Sequence, residues 1–227
     1  MTFEAASGTC SAQIHYIDTE SGNTCTFANI LTAGKDAWNP GEDNDIIVET
    51  YGGSAVFCNG VDQLFAWDAQ SCSCIVAAPS GATCIRGYKN YLFLADAVDK
   101  TDKTRHQSRI WWSDPGDGHT WPVANYLDLD ANDGDYITGM ELLGNELIVF
   151  KERKIYAITY VGGLYDFYAE ARVSGVGCPA GNSIVPIFSE LCFYGIENFY
   201  SFNGRDVESL ADKVKNIMTN AIVPDYR

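Results

Sequence analysis

Short runs of β-branched and aromatic residues follow one another along this chain, broken at close intervals by glycine, asparagine and aspartate. This is the pattern of β-strands joined by tight turns. One unit recurs four times: two short strands with a turn between them, the second strand ending in an aromatic residue. Its copies are Gly53-Ser54-Ala55-Val56-Phe57 with Leu64-Phe65, Lys89-Asn90-Tyr91-Leu92-Phe93 with Ile110-Trp111, Gly144-Asn145-Glu146-Leu147-Ile148 with Ile155-Tyr156, and Ser189-Glu190-Leu191-Cys192-Phe193 with Phe199-Tyr200. The aromatic ends at 65, 111, 156 and 200 lie 46, 45 and 44 residues apart, close to the roughly 40–50 residues of a four-stranded propeller blade. An earlier strand, Ile14-His15-Tyr16-Ile17-Asp18, reads as a fifth, degenerate copy. The expected fold is all-β, a β-propeller or partial propeller of about four to five blades over residues 1–205, with 1–45 as degenerate or closing strands. A sandwich of two antiparallel sheets is the rival architecture.

Local chemistry sharpens the pattern. Glu146-Leu147-Ile148-Val149-Phe150-Lys151 and Lys154-Ile155-Tyr156-Ala157-Ile158-Thr159-Tyr160 predict a hairpin turning at Glu152-Arg153. Asn59-Gly60 and Asn203-Gly204 supply turn chemistry. The period changes only at the end, where Val207, Leu210, Ala211, Val214, Ile217 and Met218 recur at steps of three and four. Residues 206–227 are therefore expected to form a short amphipathic helix, capped by Asp206 and running to about Asn220, and a tail.

With 46% hydrophobic residues in 227, the chain can fill a substantial core, which excludes disorder. No run of about 18 apolar residues occurs, and Met1-Thr2-Phe3-Glu4 shows neither the basic stretch nor the apolar segment of a leader; no membrane association is expected. A net charge of -15 offers no sequence-wide attraction to phosphate or anionic lipid. The eight cysteines are expected to be reduced, mostly small core residues, and Cys72-x-Cys74 lacks the paired C-x-x-C spacing of a structural zinc site.

Catalytic chemistry has little to stand on. His15 falls in a predicted strand and His106 and His119 in loops, with no H-E-x-x-H motif, nucleophile elbow, P-loop or dinucleotide fingerprint. The segment 128–135 clusters Asp128, Asp130, Asp133 and Asp135 around Gly134, the oxygen-rich composition a calcium ion prefers, but it fails EF-hand spacing and reads first as a solvated turn. No metal and no cofactor are expected. Between Trp112 and Pro122, Asp114-Pro115-Gly116 is a strong turn that Trp111, Trp112 and Trp121 are placed to clamp. Gly118-x-Thr120-Trp121 matches the end of the Asp-box turn of sialidase-like propellers, with Asp117 one residue out of register. The loop 96–107 lengthens one blade with charged residues, and Asp99, Lys100, Asp102, Lys103 and Arg105 are its candidate contact residues.

Three stretches resemble a family of bacteriophage virion proteins, the propeller proteins of tail hubs and nozzles that include podovirus packaged-DNA stabilisation proteins. They are Arg109-Ile110-Trp111-Trp112-Ser113-Asp114-Pro115-Gly116-Asp117 with Thr120-Trp121-Pro122; Leu127-Asp128-Leu129-Asp130 with Asp133-Gly134-Asp135 and Ile137-Thr138-Gly139; and Leu147-Ile148-Val149-Phe150-Lys151-Glu152-Arg153 with Ile155-Tyr156. Val176-Gly177-Cys178 and Phe199-Tyr200-x-Phe202-Asn203-Gly204 continue the pattern. The resemblance implies a non-enzymatic structural protein of the virion tail, assembled in the host cytoplasm as a ring of six copies. Its implied partners are itself, neighbouring tail or connector proteins, and genomic DNA passing through the lumen without specific binding. The first 80 residues carry none of it. A second reading, from a different class, is a carbohydrate-active propeller, either a glycosidase using paired carboxylates or a receptor-binding module using exposed tryptophans such as Trp38.

Overall fold

The computed structural model describes residues 16–17, 24–25, 45–69, 72–163 and 166–210. Sixteen of the eighteen strands among them form four four-stranded antiparallel sheets. The first comprises β3 (Ile47–Tyr51), β4 (Ser54–Cys58), β5 (Phe65–Trp67) and β6 (Cys72–Cys74), and the second β7 (Cys84–Tyr88), β8 (Tyr91–Val98), β9 (Arg105–Trp112) and β10 (Tyr126–Asp128). The third holds β11 (Ile137–Leu143), β12 (Glu146–Lys151), β13 (Lys154–Tyr160) and β14 (Phe167–Ser174), and the fourth β15 (Val185–Ile187), β16 (Glu190–Tyr194), β17 (Phe199–Phe202) and β18 (Val207–Ser209). Upstream, β1 (Tyr16–Ile17) pairs with β2 (Thr24–Cys25).

Every sheet is an up-and-down meander in chain order, and successive first strands touch one another, β3 with β7, β7 with β11 and β11 with β15. These are the blades of a β-propeller, with the first strands innermost, and the described sheets do not pair into a two-sheet sandwich. The recurrent aromatic residues all stand on the third strand of a blade, opposite a hydrophobic residue of the second: Phe65 against Phe57, Trp111 against Leu94, Tyr156 against Val149 and Tyr200 against Phe193.

The continuous apolar runs in the middle strands follow from this stacking. A sheet with one wet face alternates in polarity, whereas a sheet covered on both faces does not. Leu147, Val149, Tyr156 and Ile158 face blade 2 in one core, while Ile148, Phe150, Ile155 and Ala157 face blade 4 in another. Blade 2 divides in the same way: Phe93, Ala95, Ile110 and Trp112 point toward blade 3, and Leu92, Leu94, Ala97 and Trp111 toward blade 1. The neighbouring tryptophans 111 and 112 thus serve two different cores. Cys58, Cys84 and Cys178 are buried in these layers as free thiols, and burial pushes the Cys84 thiol up to about 12.

Two backbone details hold the blades in register. Lys89 and Asn90, at φ 50 and 64, form the two-residue turn between β7 and β8, where positive φ at both positions matches the twist of the hairpin. At Gly181, before β15, a side chain would begin 1.8 Å from the Thr138 carbonyl oxygen, so only glycine lets the chain entering blade 4 cross β11. Nearby, the Asn182 amide donates to the Asp45 carboxylate (2.5 Å) and links the entries of blades 4 and 1.

The expected C-terminal helix is corrected at its start. Val207–Ser209 is the outer strand of blade 4, with Val207 opposite Phe202 and the Leu210 amide donating to the Phe199 carbonyl. Asp206 caps no helix; its carbonyl oxygen accepts the Asn203 amide in the turn between β17 and β18. Residues 211–227, where the rest of that helix was expected, lie outside the described residues, as does most of the strand around His15.

Candidate functional site

The charged segment 96–107 is a continuation of the β8–β9 hairpin. Its ladder shifts between Ala95 and Ala97, so that Gln107, Ser108 and Arg109 of β9 stand opposite Asp96 alone. The extra residues of this bulge lie on β9, and Asp96, at φ 48, turns its carboxylate toward Arg105. The Arg105 guanidinium donates to both Asp96 carboxylate oxygens (2.7 and 2.9 Å), to the Asp96 carbonyl and to the Gly60 carbonyl of blade 1. Thr83 donates to the same carboxylate, and Ser80 bridges to Val98. The hairpin base is thereby tied to blade 1 as well as to its own sheet. Of the five candidate contact residues, Arg105 turns inward to do this.

Nearer the sheet, Arg109 lies over the Tyr126 ring at 3.9 Å and grips Asp128 through two nitrogens (2.7 and 2.9 Å) and Asp99 through a third (3.1 Å). At the tip, the Thr101 amide donates to Asp99 (2.6 Å), while Thr104 donates to Asp102 from both its amide and its hydroxyl (2.8 Å each). The Asp102 carboxylate also meets His106 Nε2 at 2.7 Å. The two Thr104 donors, followed by His106, hold Asp102 at about 2, below the usual carboxylate range. Lys100 and Lys103 are exposed on the outside of this framework. His106, expected in a loop, belongs to β9, and its ring packs edge-on against Trp111 at 6.2 Å.

The acidic segment 128–135 is a turn held by cations of its own chain. Asp133 meets Lys151 Nζ (2.8 and 3.0 Å) and Lys154 Nζ (2.9 Å), and Asp130 accepts from Lys154 and the Tyr156 hydroxyl (2.9 and 2.6 Å). Asp128 is taken by Arg109. Asp135 accepts the backbone amides of Tyr136 and Arg153. The four carboxylates weighed as calcium ligands are thus spent on ammonium, guanidinium, hydroxyl and amide donors. Lys151 is the residue the sequence reading missed; an isolated polar residue ending the apolar run 147–150 was its one signal.

The motif between Trp112 and Pro122 forms a turn into which Trp121 bonds, whereas Trp111 and Trp112 belong to two different cores. Asp117 accepts the His119 amide and the Thr120 hydroxyl, and the Trp121 indole donates to the Gly118 carbonyl. This turn closes onto blade 1, where the Tyr51 hydroxyl donates to the Asn90 carbonyl and accepts the Gly116 amide. Near the axis Arg86 of β7 bridges Glu49 of β3 (3.0 Å) and Glu141 of β11, one guanidinium joining three blades. Arg86→Met is expected to cost about 1–3 kcal/mol by leaving both glutamates without their shared donor. Adding Glu141→Gln to that variant should restore part of the loss in urea denaturation, whereas strict additivity would deny the coupling.

No family model matches this chain. No curated protein matches it either. Among solved structures it is similar to YCF48 from Cyanidioschyzon merolae, at 8% identity and a TM-score of 0.47 over 77% of this chain. The chain spans 61% of the length of that protein. Trp38, considered as a sugar platform, lies outside the described residues.

Proposed function

We propose that the protein is a non-enzymatic structural component of a phage tail, a hub, nozzle or head–tail connecting ring that forms part of the DNA exit conduit. The observation that carries this reading is the β8–β9 hairpin, built out from blade 2 and fixed before any partner arrives by Arg105–Asp96 and Arg109–Asp99. Fixing the loop in advance lowers the entropic cost of docking. Lys100, Asp102 and Lys103 face outward from it, the arrangement of a contact element between subunits or with a neighbouring tail protein. The sequence resemblance over Arg109–Pro122 supports the setting, the virion tail. A charge of -15 per copy, repeated around a ring of six, suits a lumen along which DNA slides without adhering.

Light scattering on the purified chain at low and moderate salt tests the proposal. A discrete ring near six copies is expected, and the double variant Lys100→Glu, Lys103→Glu should dissociate it. A monomer at high concentration in both salts would overturn it.

The carbohydrate reading has one observation in its favour. A groove of about 490 Å³ between the rims of blades 2 and 3 is lined by Leu127, Tyr156, Phe167 and the exposed Tyr168, with Asp128 and Asp130 beside them. The exposed Tyr168 ring is a face on which a pyranose ring can stack. Glycan binding by the monomer that disappears in Tyr168→Ala would favour this reading over the tail assignment.

A further inference from the structure

The hairpin tip brings together three side chains whose role extends beyond docking. One carboxylate oxygen each of Asp99 and Asp102 and one imidazole nitrogen of His106 lie within 4.8 Å of one another. The 2.7 Å contact between His106 Nε2 and Asp102 Oδ2, with the Thr104 hydroxyl 3.0 Å from the same nitrogen, is bridged either by the Nε2–H of the neutral imidazole or by a metal ion that takes the place of that hydrogen. We propose that this cluster binds a borderline divalent transition metal ion, with zinc the best fit, through Asp99, Asp102 and His106, leaving a fourth position for water or a partner's side chain.

The donor set selects the ion. Calcium takes six to eight oxygens, whereas one imidazole with two carboxylates matches the nitrogen and oxygen ligands of zinc. Zinc bonds of about 2.0–2.2 Å in tetrahedral geometry place ligating atoms about 3.4 Å apart. Within the 4.8 Å spread of the cluster, Asp102, whose side chain is 47% exposed, can rotate to adjust its own distances to Asp99 and His106. His106 is held in place by Trp111. Asp99 is fixed too: one oxygen accepts the Thr101 amide and the other meets Arg109. That guanidinium is shared with Asp128, which takes its other two contacts, so two carboxylates remain to balance a doubly charged ion. The exposed face of Asp102 gives the ion an entry path.

Isothermal titration of the chelator-treated full chain with zinc chloride tests this, alongside cobalt absorption spectra. One saturable equivalent of zinc is expected, weakened at least about tenfold in His106→Ala and in Asp102→Asn, and unchanged in His119→Ala. Calcium should give no saturable heat. Asp102→Asn alters an exposed side chain and keeps the test decisive if His106→Ala fails to fold. Absence of saturable zinc binding would overturn the proposal. So would binding indifferent to both variants, or a cobalt spectrum with thiolate charge-transfer bands, because the ion would then sit on cysteines.

Discussion

Trp112→Ala is expected to destabilise the protein by about 3–5 kcal/mol, the range for truncating a large buried aromatic. The side chain is 7% exposed in the core between blades 2 and 3. It lies 5.2 Å from Phe167 in an edge-on arrangement and 6.0 Å from Phe93. Those rings come from different blades, so the cavity would open at the seam, where a rigid sheet on each side limits collapse. The indole N–H has no acceptor among the described residues. Trp112→Phe, which removes that donor and keeps most of the ring, should therefore recover much of the loss. Urea denaturation of both variants provides the measurement, and a loss below about 1 kcal/mol in the alanine variant would contradict burial of the ring.

Lys151→Ala is expected to cost a similar amount, about 3–5 kcal/mol, by a different route. The side chain is fully buried and donates to the Leu129 carbonyl (2.9 Å) as well as to Asp133. Truncation opens a cavity in the core and leaves the Leu129 carbonyl without its donor, while Asp133, whose side chain is 18% exposed, keeps only Lys154. Asp133 records the interaction in its titration. Burial pushes its carboxyl up, but the ammonium donors Lys151 and Lys154 outweigh that and hold it at about 2, against an ordinary value of 3.8. A depressed folded-state value means stability fully present above about 3.8 and lost as the pH falls toward about 2. Asp135, raised by burial, contributes with the opposite sign. Stability measured between pH 7 and pH 2 should thus fall along an acid limb that Lys151→Met flattens. An unchanged limb would mean that Lys151 does not set the Asp133 titration.

The blade period was legible because it is written in side chains that repeat: an aromatic on every third strand and an apolar second strand, as at Tyr156 and Val149. The end of blade 4 was misread for a definable reason. Val207 and Leu210, three apart, satisfy a helical period, yet Val207–Ser209 also suits an edge strand, and pairing with Phe199–Phe202 decides between them. Local pattern has no access to that partner. The acidic turn shows the same limit: its composition is visible at 128–135, but the ammonium groups that pair with it come from Lys151 and Lys154, on strands that fold back over it. Asp96 was recognised only as part of a charged loop; the bulge that presents it to Arg105 is a property of strand register.

Each large core of the described residues is shared by two sheets, and always by sheets adjacent in the chain. Among the described residues a single blade holds only one small cluster of its own, around Phe57 and Phe65 of blade 1. The smallest stable piece is consequently a pair, and stability accrues through nearest-neighbour couplings in the manner of a one-dimensional lattice. Such a chain can nucleate at any seam and grow outward in both directions, and it can lengthen by duplicating one period without redesigning the rest. Damage at one seam, as in Trp112→Ala, stays with the two sheets that share it, so partial unfolding should proceed in units of whole blades.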